Sequence, residues 1–455
     1  MVRFYQVLLG LIWSFVVISS ASANPHPNES RVPKVKAAFW SKKFKLPVDK
    51  LPSQSSLREG SPVLRVRVDW DGGKYTFGAA VRESSGTESL VRRAKSKDAL
   101  GSFRAEIYDR DSGAFLASDS IGTGVKYRGL TRALSFRFPL HGKTVLFRMR
   151  GENARSGVMQ TVLEQEISPS NLKEWPSQKD VEVVLFKQAS IEPKLILNIY
   201  AEGYSASAKA RFYQDAARAL DVLWDKKFPG FERFEIRAVF APSGRSLGGA
   251  SNLGFPIPER DSFLGLYYPY WDDMQRWYHV VYPTREERFR RGLAQVAYDY
   301  AFALVDSSSY WGVGNYRELT AVPSKSSSFA YLLIHEMGHF FGLNEEYNGG
   351  GATELAFAPE IKEPWSQNIT FQTNLSSLKW KPQVKSSTPI PTPSSHWRSN
   401  GPYGAYRGGY ADTVPLGKAH KPGLSCVMDS GQNFCPICRK AIEDRVQFDL
   451  GIKVL

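Results

Sequence analysis

His335-Glu336-Met337-Gly338-His339 carries the side chains of this chain best suited to chemistry. Residues four apart on an α-helix lie on one face, one turn above the other, so a helix here points two imidazoles the same way. Two neutral imidazoles side by side can hold a zinc ion. The Glu between them is placed to take a proton from a water that the metal activates. Gly342 follows, and a Gly can turn the chain sharply out of a helix by adopting φ > 0. Glu345 and Glu346 come just past that turn, where either carboxylate can return to the metal as a third ligand.

The elements that must position these groups are legible nearby. Ser326, Ser327 and Ser328 offer helix N-caps, and the apolar run Phe329 to Ile334 would bury the helix beneath a cleft. The whole pattern, His-Glu-x-x-His-x-x-Gly-x-x-Glu, resembles the extended metzincin signature with Glu in place of the last His. Further segments are similar to the IgA peptidase family of zinc metallopeptidases. Cys426-Val427-Met428-Asp429 with Phe434 to Ile442 is similar to its closing segment, and Gly342 to Tyr347 to its Gly-Leu-x-Asp-Glu-Tyr stretch. Ala201 to Ser205 resembles the opening of its catalytic domain, and Leu378 to Lys381 a patch between the zinc helix and the cysteines. The resemblance covers roughly residues 190 to 445. This chain departs from it in two places: one residue fewer after His339, and Glu345 where the family has Asp.

The resemblance implies one catalytic zinc ion held by His335, His339 and a carboxylate. Glu345 is preferred because it stands three residues after Gly342, where metzincins place their third ligand, with Glu346 as the alternative. It further implies that Met428 forms the Met-turn beneath the metal, its thioether packing against the histidine rings.

At 455 residues the chain is too long for one ordinary core, so two domains are expected. Residues 1–23 read as a cleaved signal peptide: Arg3 opens it, Val7 to Ser20 is apolar, and Ala21-Ser22-Ala23 is a cleavage site. A secreted or periplasmic protein follows, with no stable membrane span after cleavage. The net charge of +14 falls to +13 without Arg3, a balance that suits an anionic envelope surface or simply a solubilising exterior. No nucleic-acid motif accompanies it. Cys426, Cys435 and Cys438 suit one disulfide in an exported protein; a structural zinc needs four ligands and finds three local thiols. Asn28, Asn368 and Asn374 head glycosylation sequons, relevant in a eukaryotic source.

The fold expected is α+β. A flexible lead-in (24–60) precedes a β-rich, β-sandwich-like accessory domain (61–188), then a metzincin-like α/β zinc peptidase domain (189–455). Leu64, Val66 and Val68 alternate with polar residues, as do Leu134, Phe136 and Phe138, and Val145, Phe147 and Met149. Strands are expected over Leu195 to Tyr200, Phe234 to Phe240 and Ala301 to Val305, and helices over Ser207 to Lys226 and from a capping box at Thr284 to about Ala297. A strand near Tyr310 would pair with the substrate backbone. The irregular region from Asn348 would shape the cleft wall, with Tyr403, Tyr406 or Tyr410 as candidate oxyanion donors. The reading is a zinc endopeptidase acting on a protein or peptide. Hydrolysis of cell-wall peptides, or surface binding with a retained zinc site, are the alternatives.

Overall fold

The computed structural model describes residues 53–58, 60–70, 74–97, 100–122, 132–152, 159–175, 180–244, 262–267, 281–283, 285–308, 312–347, 363–398, 401–409 and 419–453. It is a mixed α+β structure with several sheets and few helices. In the first region, β1 (Ser61–Trp70), β2 (Tyr75–Gly86), β3 (Phe103–Asp109), β4 (Phe115–Ile121), β5 (Arg132–Pro139), β6 (Val145–Glu152), β7 (Met159–Ile167) and β8 (Lys173–Glu174) form two four-stranded sheets. Their orders are β5-β1-β2-β8 and β4-β3-β6-β7. The period-two pattern explains why they share one core. Leu64, Val66 and Val68 from β1 meet Ile107, Phe147 and Met149 from the second sheet in a single buried cluster. The expected turn at residues 71–73 lies outside the described residues, but Trp70 pairs with Tyr75 on either side of it.

The second region is built on a six-stranded sheet of order β15-β16-β14-β10-β11-β9. Its strands are β9 (Glu182–Lys187), β10 (Leu195–Glu202), β11 (Phe234–Phe240), β14 (Tyr300–Val305), β15 (Val313–Gly314) and β16 (Thr320–Pro323). Strands β10, β11, β14 and β16 are parallel, while the edges β9 and β15 run antiparallel. Two short pairs, β12 (Leu266–Tyr267) with β13 (Tyr282–Pro283) and β17 (Tyr406–Arg407) with β18 (His420–Lys421), lie outside it. Because β9 pairs with β11, the expected boundary at 188/189 shifts to before β9. The end of the lead-in is also ordered: the Gln54 amide donates to Val183, and Arg237 donates to the Leu57 carbonyl at 2.6 Å.

The helices are α1 (Glu88–Arg93), α2 (Lys209–Asp225), α3 (Glu286–Leu293), α4 (Phe329–Phe340) and α5 (Pro436–Asp449). Helix α3 ends four residues short of expectation, and Thr284 lies outside the described residues. One core joins the apolar faces of α2, α4 and α5 to one side of the six-stranded sheet. Glu202, in the stretch similar to the family's opening, is a structural hub: its buried carboxylate accepts from Ser262 and from the Leu264 and Leu266 amides. A polar joint links the two regions. Arg65 and Arg137 both reach the buried Glu83 carboxylate, and both also hydrogen-bond Tyr298 of the second region.

Candidate active site

Helix α4 follows β16 after a short turn, and its residues are almost entirely buried. Ser328 occupies the N-cap position without capping through its side chain; Ser326 Oγ instead accepts from the Ser328 amide at 3.3 Å. The helix stops as its sequence predicts: Gly342 takes φ +92°, and the Leu343 amide bonds the Gly338 carbonyl.

His335 and His339 meet with Nε2 to Nε2 at 3.1 Å. Their other nitrogens sit 2.9 Å from the Val427 and Leu343 carbonyls. A carbonyl only accepts, so each Nδ1 carries the proton and each Nε2 presents a lone pair to the other. Two facing lone pairs repel unless a cation lies between them. Two nitrogens at about 2.0–2.1 Å from a tetrahedral zinc stand about 3.3 Å apart, so the pair fits such an ion. Burial depresses His339 to about 4, which keeps it in the metal-binding neutral form over the ordinary range. Tyr331 and Tyr347 stack near-parallel on the His335 ring, with centroids at 5.4 and 6.0 Å. Tyr347 ends the stretch similar to the family's Gly-Leu-x-Asp-Glu-Tyr, but a Tyr has no metal-ligand signature that would place either ring against His335.

Glu336 is buried, and burial first, then the charge of Glu345, pushes it up to about 8. Edge strand β15 lies across the helix here. A Cβ at Gly312 would stand 2.9 Å from Glu336 Cγ and Oε1, and one at Gly314 would meet the Glu336 carbonyl and His339 Cβ. Gly312 and Gly314 are therefore what lets this strand approach the helix so closely. Tyr310 and Trp311 lie outside the described residues.

The two candidate third ligands are separated. Glu345 is half-buried on the Glu336 side, where its charge acts. Glu346 turns the other way: Oε1 accepts from Cys438 Sγ at 2.9 Å and from Asn368 at 3.0 Å. Among the described residues, the group of metal-ligating side chains with all ligand atoms within 4.8 Å of one another is Glu346, Cys426, Cys435 and Cys438, not the histidine pair with Glu345. The disulfide expected among the cysteines is absent: all three are free and buried. Asn368, read as a sequon, is fully buried and its amide clamps the Asn344 carbonyl, so it has no room for a glycan. Lys379 holds the same loop through the Ser366 and Ile369 carbonyls, both at 2.7 Å. The role of Asn368 had no sequence signal beyond the misleading one.

Met428 packs against the helix at Gly338, where a Cβ would collide with its Sδ and with the Phe434 ring. The tyrosines proposed as oxyanion donors pack elsewhere: the Tyr406 hydroxyl donates to Pro402 at 2.6 Å, and Tyr403 and Tyr406 both edge onto Trp397. Tyr410 lies outside the described residues, as do 348–362 of the long loop.

Helix α4 thus brings together two converging imidazoles, His335 buried and His339 part-buried, with a carboxyl between them, and the family this region matches is one of metallopeptidases, hydrolases of peptide bonds. Residues 183–401 match the model of IgA Peptidase M64. The segment with Met428 and the three cysteines lies beyond the matched residues. No curated protein matches the chain. Among the described residues no helix is long and apolar enough to cross a membrane.

Proposed function

We propose that the chain is a zinc endopeptidase whose metal is held by His335, His339 and Glu345, with Glu336 as general base. The observation that carries this is the facing pair of Nε2 lone pairs at 3.1 Å, each aimed by a carbonyl behind it. With Glu346 committed to the cysteines, Glu345 is the acidic residue past Gly342 left to complete the set. Zinc bound there supplies Lewis acidity, activating water and polarising the scissile carbonyl. Glu336 accepts the proton of the attacking water as the new C–O bond forms, then delivers it to the leaving amine as the C–N bond breaks. Its buried setting favours the neutral acid, and a neighbouring cation would favour the carboxylate that accepts the proton. Strand β15, at the sheet edge beside Glu336, would hold the extended substrate by backbone pairing.

The arrangement of helix, glycine turn and methionine supports a metzincin-like domain. The two sheets around one core support a β-sandwich whose work is scaffolding, since its polar joint is buried against the peptidase region. The leader sequence supports secretion or export to the periplasm. The test compares mature wild type with Glu336→Gln for zinc content and casein cleavage. Both proteins should bind the catalytic zinc, with turnover at least about 10²–10⁴-fold lower in the variant. A variant that is loaded and still turns over at the wild-type rate overturns the mechanism.

A further inference from the structure

We propose that Cys426, Cys435, Cys438 and Glu346 form a second, structural metal site that takes zinc or a similarly thiophilic divalent cation. The site stands apart from the histidine pair and does not depend on the catalytic reading above. Its four ligand atoms come from three separate stretches of chain, all buried and all within 4.8 Å of one another. Sulfurs on a tetrahedral zinc at about 2.3 Å would be about 3.8 Å apart, so the cluster needs only slight contraction. Three soft sulfurs and one carboxylate favour zinc over calcium or magnesium, and four protein donors leave no open position, as in structural rather than catalytic sites.

Two further observations favour a cation at this site. Glu346 is fully buried, and its Oε2 has no hydrogen-bond partner although Oε1 has two. A buried carboxylate oxygen left in that state is costly unless something positive meets it. Lys421 does not: its ammonium donates to the Glu346 backbone carbonyl and to Asp429, each at 2.6 Å. In addition, the backbone is arranged as it would be around thiolates. Cys435 is the N-cap of α5, the Cys438 amide donates to its Sγ at 3.4 Å, and the Cys435 amide donates to Cys426 Sγ at 3.4 Å. Amides and a helix N-terminus aimed at sulfur favour its charged, metal-binding form.

The location gives the site its consequence. Val427, which follows Cys426, supplies the carbonyl that aims His335, and the Glu346 amide bonds the Met428 carbonyl at 2.7 Å. One ion here ties the Met428 turn, the start of α5 and the segment carrying Glu345 into a single unit behind the catalytic helix.

The experiment uses the full mature chain. Zinc is counted in wild type, in His335→Ala/His339→Ala and in Cys435→Ser/Cys438→Ser, and each is then exchanged with cobalt(II). Two zinc ions in wild type are expected, with one lost in each double variant. A sulfur-to-cobalt charge-transfer band should persist in the histidine variant and vanish in the cysteine variant. Glu346→Gln should keep the band while weakening its metal by about 10-fold or more. If the cysteine variant fails to fold, wild type and the histidine variant still decide. A single zinc lost with the histidines and no sulfur-to-cobalt band overturns the proposal, as does a chain lighter by two hydrogens because of a disulfide. Retention of the band and both ions in the histidine variant would instead overturn the catalytic assignment and leave this site standing.

Discussion

Gly312 offers the sharpest perturbation of the proposed base. Replacing it with Ala puts a methyl 2.9 Å from both Cγ and Oε1 of Glu336, and 3.1 Å from the Ala321 carbonyl. Carbon contacts settle at about 3.5–4.0 Å, so about 0.6–1 Å must be found. The Ala321 carbonyl is fixed in the ladder between β15 and β16, and the side chain of Glu336 is the softer neighbour. The carboxylate is therefore what moves. Displacing a reacting group by about 1 Å costs up to about 10²-fold in rate, so kcat should fall by about 10- to 100-fold, or about 1.4–2.7 kcal/mol in the barrier. Overpacking destabilises by about 1–3 kcal/mol, partly offset by the reduced freedom of the unfolded chain, so the fold should survive. Steady-state cleavage of a peptide, with zinc content and a denaturation midpoint on the same sample, separates these effects. A folded, zinc-loaded Gly312→Ala with wild-type kcat would refute the placement of Glu336 as base beneath this strand.

Gly338→Ala tests the methionine turn: its methyl meets Met428 Sδ and Phe434, and should destabilise by about 1–2 kcal/mol in spite of the better helix propensity of Ala. In a double-mutant cycle with Met428→Ala, the combined loss in urea should be smaller than the sum of the single losses. In metal-stripped protein, Glu336 holds its proton up to about pH 8 in the folded state against 4.5 when unfolded, so stability falls as pH rises between those values. Glu336→Gln removes that term; it should be more stable than wild type by about 1 kcal/mol at pH 5 and about 4 kcal/mol at pH 8. Identical pH slopes in denaturant titrations of the two stripped proteins would sink the buried-acid argument.

Much of both regions was readable because the signals are local. Four-residue spacing on a helix, a glycine with positive φ and period-two strands each depend on neighbours in sequence, and His335, His339, Gly342, Phe136 and Phe147 sit as those rules require. The grouping of the cysteines with Glu346 was not readable for the opposite reason. Three thiols within thirteen positions suggested a disulfide, because the carboxylate that joins them, Glu346, is 92 residues from Cys438 and meets them only in the fold. The choice between Glu345 and Glu346 was open for the same cause: adjacent residues in an irregular turn point opposite ways, and no periodicity says which. The pairing of β9 with β11 was not readable either, because a strand's sequence does not reveal its partner.

The polar joint around Glu83 bears on how the chain assembles. Arg65 finds Tyr298 across 233 positions and Arg137 finds it across 161, so the β-rich region cannot complete its charge network when its own strands are finished. Until residue 298 is present and placed, two guanidinium groups beside Glu83 lack part of their hydrogen bonding. Contacts of such separation form late and slowly. The β-rich region would then be a partly finished surface awaiting the peptidase sheet, and a peptidase fragment cut free at residue 189 would expose the other half of that surface, including Tyr298 and Asp299, which accepts from Thr87 and Ser89.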